Sequence, residues 1–168
     1  MTLSLYDLSV PVFTKSLQAL SEVLKKAASH AEHKKIDQTV FINARLAPDM
    51  FALGRQVQLA SDFAKGGAAR IAGVDVPSYA DTETTFEELQ ARISKTLDFI
   101  GSIPKDKFVG AENRDIVVPM RPEPKTFNAL VYLRHGDLPN FFFHTTTTYD
   151  ILRHNGVELG KRDFLGVY

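Results

Sequence analysis

Between Met50 and Ile71 the apolar residues Met50, Leu53, Val57, Ala60, Ala64, Ala68 and Ile71 recur at intervals of three and four. That spacing draws one apolar stripe along an α-helix and does not fit the two-residue period of a strand. Pro48-Asp49 precedes the run, so a helix over 50–71 with Asp49 as its cap is expected. The second half, Ala64-Lys-Gly66-Gly67-Ala68-Ala69, is built of small residues. They weaken intrinsic helicity and let another backbone come close, which marks a tight contact with a neighbouring helix or subunit. A helix with one long apolar face has to be covered, and further helices are the natural cover.

The rest of the chain supplies them. Val12 or Phe13, Leu17, Leu20, Leu24 and Ala27 predict a first helix from about Val10 to about Ala28, with Pro11 in its first turn. His30-Ala-Glu-His33-Lys-Lys reads as its charged, solvated end, where imidazole faces the carbonyl dipole. A connector through Phe41, Ile42 and Leu46 holds room for a short helix. Residues 73–80 are a loop. Thr85-Phe-Glu-Glu88 fits a capping box, and Phe86, Leu89, Ile93, Leu97 and Ile100 continue it as a third amphipathic helix ending near Gly101 and Pro104. Gly110, Pro119, Pro122 and Pro124 punctuate a long connection, in which Asp115-Ile-Val-Val predicts an extended piece or small hairpin. From about Thr126 the pattern is helical again, interrupted at Gly136 and Pro139 by a kink or a break. Asn155-Gly156 followed by Val157 is the stop signal of the last helix. The tail, with Phe164, Leu165 and Tyr168, is expected to dock on the body.

Length and composition set limits. A chain of 168 residues supports one domain, 1–168, with a sizeable core. Lysine plus arginine number 20 and aspartate plus glutamate 20, so no net field gathers nucleic acid or an acidic membrane surface. With 0 cysteines there is no disulfide, thiolate metal site or cysteine nucleophile. No apolar run has the length a bilayer needs, and the first residues lack a signal-peptide pattern. A cytoplasmic protein with neither nucleic-acid nor membrane partners is expected.

Asn140 and His144, four apart, share one helix face and can address the same ligand or metal ion. At about 100° per residue, Leu133, Asp137, Asn140, His144, Thr148 and Ile151 fall in one stripe whose middle is polar. Buried polar groups are costly unless paired, so the stripe locates either a pocket or a satisfied core histidine. Gly156-Val-Glu-Leu-Gly160-Lys161-Arg162 is one residue short of a phosphate loop and follows a helix, and Ser61, Ser78 and Ser102 lack the glycines of a nucleophile elbow.

The helix order, the extended crossover, and Asn140-x-x-x-His144 followed by Leu152-Arg153-x-x-Gly156 resemble the DinB/YfiT-like superfamily of four-helix bundles. Leu46-Ala-Pro-Asp-Met50, Leu138-Pro-Asn-Phe141, Phe143-His144 and Ile151-Leu-Arg-His-Asn-Gly-Val157 through Gly160-Lys161 resemble a bacterial branch known only as a domain of unknown function. The resemblance implies an all-α, DinB-like bundle with a long crossover, with room for a short β-hairpin, before the last helix, and a homodimer. It also implies a site. Metal-binding members hold a divalent ion such as zinc or nickel with three histidines, one on the second helix and two four apart on the last, and some are thiol-dependent transferases or isomerases. The matching positions here are Gln58, Asn140 and His144, of which only His144 is a histidine. Asp62, one turn beyond Gln58, and Asp137, one turn before Asn140, are the residues that would complete a rearranged set. The expectation is a degenerate metal pocket around Gln58, Asp62, Asp137, Asn140, His144 and Thr148 that binds a small ligand or serves the structure. The alternative is a metal- or thiol-dependent transferase or isomerase centred on His144.

Overall fold

Ser4 opens the first helix: its hydroxyl accepts from the Asp7 N–H at 3.2 Å while the Asp7 carboxylate accepts from the Ser4 N–H at 3.3 Å, a capping box. The computed structural model describes residues 4–119 and 122–166. Helix α1 runs Leu5–Lys34, beyond the expected 10–28 at both ends. Its start signal is Ser4-x-x-Asp7, and its charged end stays helical until Lys35 closes it in the left-handed region, at φ 54°. Pro11 therefore lies inside the helix, on its exposed side, and not in its first turn. His30 is no purely solvated end group either, since its ring packs edge-on against Phe41 at 5.8 Å.

The connector forms α2 (Gln38–Ile42) and buries Phe41 and Ile42. Helix α3 spans Leu53–Ala72 and starts later than the pattern implied, so Asp49 caps nothing. The chain stays extended at Ala52, and the Leu53 N–H is taken by the Ala44 carbonyl at 2.9 Å, an alternative to the earlier helical turn. Helix α4 (Phe86–Ser102) begins at the expected box: Thr85 Oγ1 accepts from the Glu88 N–H at 3.1 Å and Glu88 Oε2 from the Thr85 N–H at 3.0 Å.

The crossover holds two short 3₁₀ turns and an antiparallel hairpin, β1 (Asp115–Val118) with β2 (Lys125–Asn128), in which Ile116 faces Phe127 and Val117 faces Thr126. Thr126 is thus strand, and the helical stretch begins with α5 (Ala129–Val131) behind an Asn128 cap on the Leu130 N–H. A π-helical turn at Tyr132–Asp137 joins α5 directly to α6 (Leu138–His154). In that turn the Leu138 N–H reaches the Leu133 carbonyl, five residues back. Pro139 accounts for the widening: it has no N–H for the His135 carbonyl, and its ring crowds that group in an α-turn. The break expected there is an expanded turn in a continuous helix.

Helix α6 ends as its sequence signals, with Gly156 at φ 88° and the N–H of buried Val157 on the Leu152 carbonyl at 3.1 Å. Helix α7 (Lys161–Leu165) docks on α1 through Lys26–Asp163 at 2.6 Å and on α6 through Phe164 against Tyr149; Tyr168 lies outside the described residues. Helices α1, α3, α4 and α6 form the bundle, and Phe13, Leu17, Leu24, Leu53, Ile71, Leu89, Ile93, Ile100, Phe141 and Ile151 fill it. The small residues Ala64, Gly66, Gly67, Ala68 and Ala69 are buried within the chain itself. The threonine run of α6 stays helical because Thr145, Thr147 and Thr148 donate back to the carbonyls of Phe142, Phe143 and His144, which satisfies their hydroxyls without a strand partner.

Candidate functional site

His144 is buried on α6, beside the Phe143 ring of its own helix and against Gln56 and Phe63 of α3. Its Nδ1 lies 2.7 Å from Gln56 Oε1, so this nitrogen carries the proton, and its ring stacks on Phe63 at 5.5 Å. Burial holds its pKa below the ordinary imidazole value, and the positive charge of Arg55 adds to the effect. Gln58 faces elsewhere: it donates to Glu83 at 2.9 Å and accepts from Arg55 at 3.2 Å. Asn140 is exposed, its amide turned back on the Gly136 carbonyl at 2.7 Å. Thr148 is buried and bonded to the His144 carbonyl. Of the predicted stripe, Leu133, Asp137, His144, Thr148 and Ile151 are buried and Asn140 alone is exposed, so Asn140 and His144 do not share one site.

Asp62 belongs to a second group. Arg92, buried on α4, meets Asp62 at 2.9 Å, Asp81 at 3.0 Å and Glu83 at 2.9 Å, and Lys65 meets Asp62 at 2.8 Å. Arg55 pairs with Asp81, and the Tyr79 ring lies under the ammonium groups of Lys65 and Lys95. These contacts pin the loop between α3 and α4 to both helices. They also leave Asp62 with its charge already matched.

Beside Asp62 lies a cavity of about 640 Å³ between α3, the π-turn and the hairpin. Leu59, Phe63, Val118, Pro119, Phe127 and Val131 give it apolar walls; Arg70, Tyr132, His135 and Asn140 give it polar ones. Arg70 Nη1 donates to the Tyr132 hydroxyl at 3.2 Å, and that hydroxyl donates to Asp137 Oδ1 at 3.1 Å. Asp137 is fully buried and its Oδ2 has no hydrogen-bond partner. Burial raises its pKa to about 7 against the lowering effects of the Tyr132 hydroxyl and the Arg70 charge. Burial and the Asp137 carboxylate push the Tyr132 hydroxyl up in turn.

Gly67 makes room for this carboxyl. A Cβ there would strike Asp137 Oδ2 and stand 2.6 Å from its Cγ, and one at Gly66 would strike the Arg70 guanidinium. Sequence reasoning named Asp137 and the small residues separately and missed Arg70, Tyr132 and Gln56. Tyr132 and Asp137 are five apart, a spacing that no α-helical face joins and that a π-turn brings together. Arg70 reads as an ordinary basic residue in a helix's last turn.

The model of the family described as Domain of unknown function (DUF1993) matches residues 5–165. The chain belongs to that family. A crystal structure of a DinB family member protein from Shewanella denitrificans is similar to it, with 42% identity over 98% of this chain and 93% of that one and a TM-score of 0.91. No curated protein matches. This DUF1993 chain is thus a DinB-like bundle, all-α but for its small hairpin. The superfamily's three-histidine metal centre does not fit the residues present. Its positions are occupied by an amide bonded to Glu83, an exposed amide bonded to its own helix, and one imidazole bonded to Gln56. Among the described residues no three histidine, aspartate or glutamate side chains converge as a metal site, and amides are poor substitutes for imidazole toward zinc or nickel. Nor, among the described residues, is any helix long and apolar enough to cross a membrane.

Proposed function

We propose that this DUF1993 protein binds a small, largely apolar molecule in the cavity between α3, the π-turn and the hairpin, and that its His144 region is structural. The cavity itself carries the reading: about 640 Å³ lies within the range of small-molecule sites, and apolar walls with a few convergent polar groups are their usual make-up. The π-turn on its wall supports it, because expanded turns cluster at functional sites. For His144 the support is its satisfied Nδ1 and its stacked ring, the environment of a core histidine.

The competing transferase or isomerase with a rearranged ligand set would draw on Asp62 and Asp137 beside His144. Asp62 is engaged by Lys65 and Arg92, and Asp137 is packed against Gly67, which argues for the cavity instead. Titration calorimetry with zinc, nickel and manganese should show no stoichiometric binding in the micromolar range. Tight binding lost in His144→Ala would restore the metal reading. The expected homodimer draws no support from Gly66–Ala69, which the chain covers itself, and a light-scattering mass decides it.

The cavity is tested with the neutral dye N-phenyl-1-naphthylamine, whose emission rises in apolar surroundings. The wild type should enhance it saturably, and Leu59→Trp, which fills the cavity, should abolish the enhancement while keeping the helical circular-dichroism spectrum. Equal enhancement by both proteins, or by neither, overturns the reading.

A further inference from the structure

Arg70 is half-buried on the cavity wall and, among the described residues, has no carboxylate within ion-pair distance. Among the described residues its guanidinium makes one hydrogen bond, to the Tyr132 hydroxyl. The carboxylate that lines the cavity, Asp62, is already bound by Lys65 and Arg92. A guanidinium has five N–H donors in a fork that matches a carboxylate, so most of this group's capacity is unspent toward a space whose other walls are mainly apolar.

We propose that the ligand of this cavity is an apolar carboxylic acid held by Arg70, and that its binding is coupled to proton uptake on Asp137 through Tyr132. The inference rests on the cavity reading and adds ligand class and coupling. Without ligand, the Tyr132 hydroxyl is committed: it accepts from Arg70 and donates to Asp137 Oδ1. A ligand carboxylate on Arg70 places a second negative charge beside Asp137 and competes for the hydroxyl proton of Tyr132. If Asp137 takes a proton from solvent, the charge repulsion ends and Tyr132 turns its O–H to the ligand. The balance is one proton taken up per carboxylate bound, with no bond broken in the ligand. Asp137 is suited to this exchange because it is fully buried, its Oδ2 is unpartnered, and its affinity for protons is already high. The groups that face it are Tyr132 from its own turn and Arg70 from α3; of the other titratable groups on the cavity wall, Asp62 is paired with Lys65 and Arg92, and His135 lies outside the chain of bonds. The hairpin contributes Val118, Pro119 and Phe127, which do not titrate.

The probe is 2-naphthylacetate, with 2-naphthylacetamide as its uncharged counterpart, each displacing N-phenyl-1-naphthylamine. The acid should bind the wild type at least tenfold more tightly than the amide, and Arg70→Met should erase that preference while the dye still binds. Calorimetry at pH 8 in two buffers of different protonation enthalpy should show uptake approaching one proton per acid bound, falling at pH 6, where Asp137 is already protonated. Asp137→Asn and Tyr132→Phe should each reduce the uptake, and His135→Gln should preserve it. Acid and amide of equal affinity, or an acid bound with no proton uptake, overturns the inference while dye binding leaves the cavity reading standing. Loss of dye binding in Leu59→Trp with no acid preference separates the two in the same way. Because Asp137→Asn places an amide against Gly67 and can unfold the turn, Tyr132→Phe is the deciding variant: full uptake in it overturns the coupling.

Discussion

Gly67 and Asp137 show how much rests on one missing methyl group. Inside a helix, Gly→Ala ordinarily stabilises by about 1 kcal/mol, but here the added Cβ strikes the Asp137 carboxyl. Gly67→Ala should therefore destabilise the protein, by about 1–3 kcal/mol as overpacking does, and much of the loss should disappear in the Asp137→Ala background. A rise in urea midpoint for the single variant contradicts this. The Asp137 carboxyl also sets a pH dependence. Its pKa is raised from 3.8 to about 7 in the fold, so between those values the native state holds a proton that the unfolded chain releases. Stability from this group is full below about pH 4 and is lost as pH rises through 7; the shift is worth on the order of 4 kcal/mol. Urea titrations from pH 4 to 8 should show that fall in the wild type and a flatter profile in Asp137→Asn. His144 has the opposite sign: with its pKa lowered, it favours the fold above the ordinary imidazole pKa and opposes it on acidification.

Among the elements, α4 depends on a local signal and α6 on a tertiary one. Thr85 and Glu88 satisfy each other's N–H groups at the start of α4, so Thr85→Ala should cost about 1 kcal/mol, read as a lowered urea midpoint without loss of helix content at low denaturant. The apolar intervals of α3 and α4 and the Gly156 stop were legible because each is written within a few residues. The starts of α1 and α3 were not. Ser4-x-x-Asp7 lies ahead of the apolar run, and the Ala44 carbonyl that takes the Leu53 N–H is nine residues upstream of it. The π-turn was legible only as an interruption at Gly136 and Pro139. Whether such an interruption becomes a kink, a break or an expanded turn depends on what packs beside it, here Gly67 of α3 against Asp137.

The molecule is held by one core in which helices distant in sequence interlock. Phe13 of α1 and Phe141 of α6 are fully buried and meet edge to face at 5.0 Å. Phe141→Ala should cost about 3–5 kcal/mol and speed proteolysis across the whole chain instead of at one end. If metal chemistry is absent, neither chelation by EDTA nor added zinc should move the thermal midpoint; a fall on chelation would show a structural ion. The sequence by itself determined the class of fold, the number of long helices and the crossover between the third and the last, because helical period, capping and chain-stopping residues act over short spans. It also marked Asp137, His144 and the small residues of α3, all of which are buried. Only the tertiary structure decided how they combine. It joined His144 to Gln56 instead of Gln58, turned Asn140 outward, and set Arg70, Tyr132 and Asp137 in one chain of hydrogen bonds beside a cavity. The physical reason is distance along the chain: α3 supplies Gln56 and Arg70 to residues far along the sequence, and the turn that brings Tyr132 to Asp137 bonds five residues back, so no short-range helical pattern encodes these pairings.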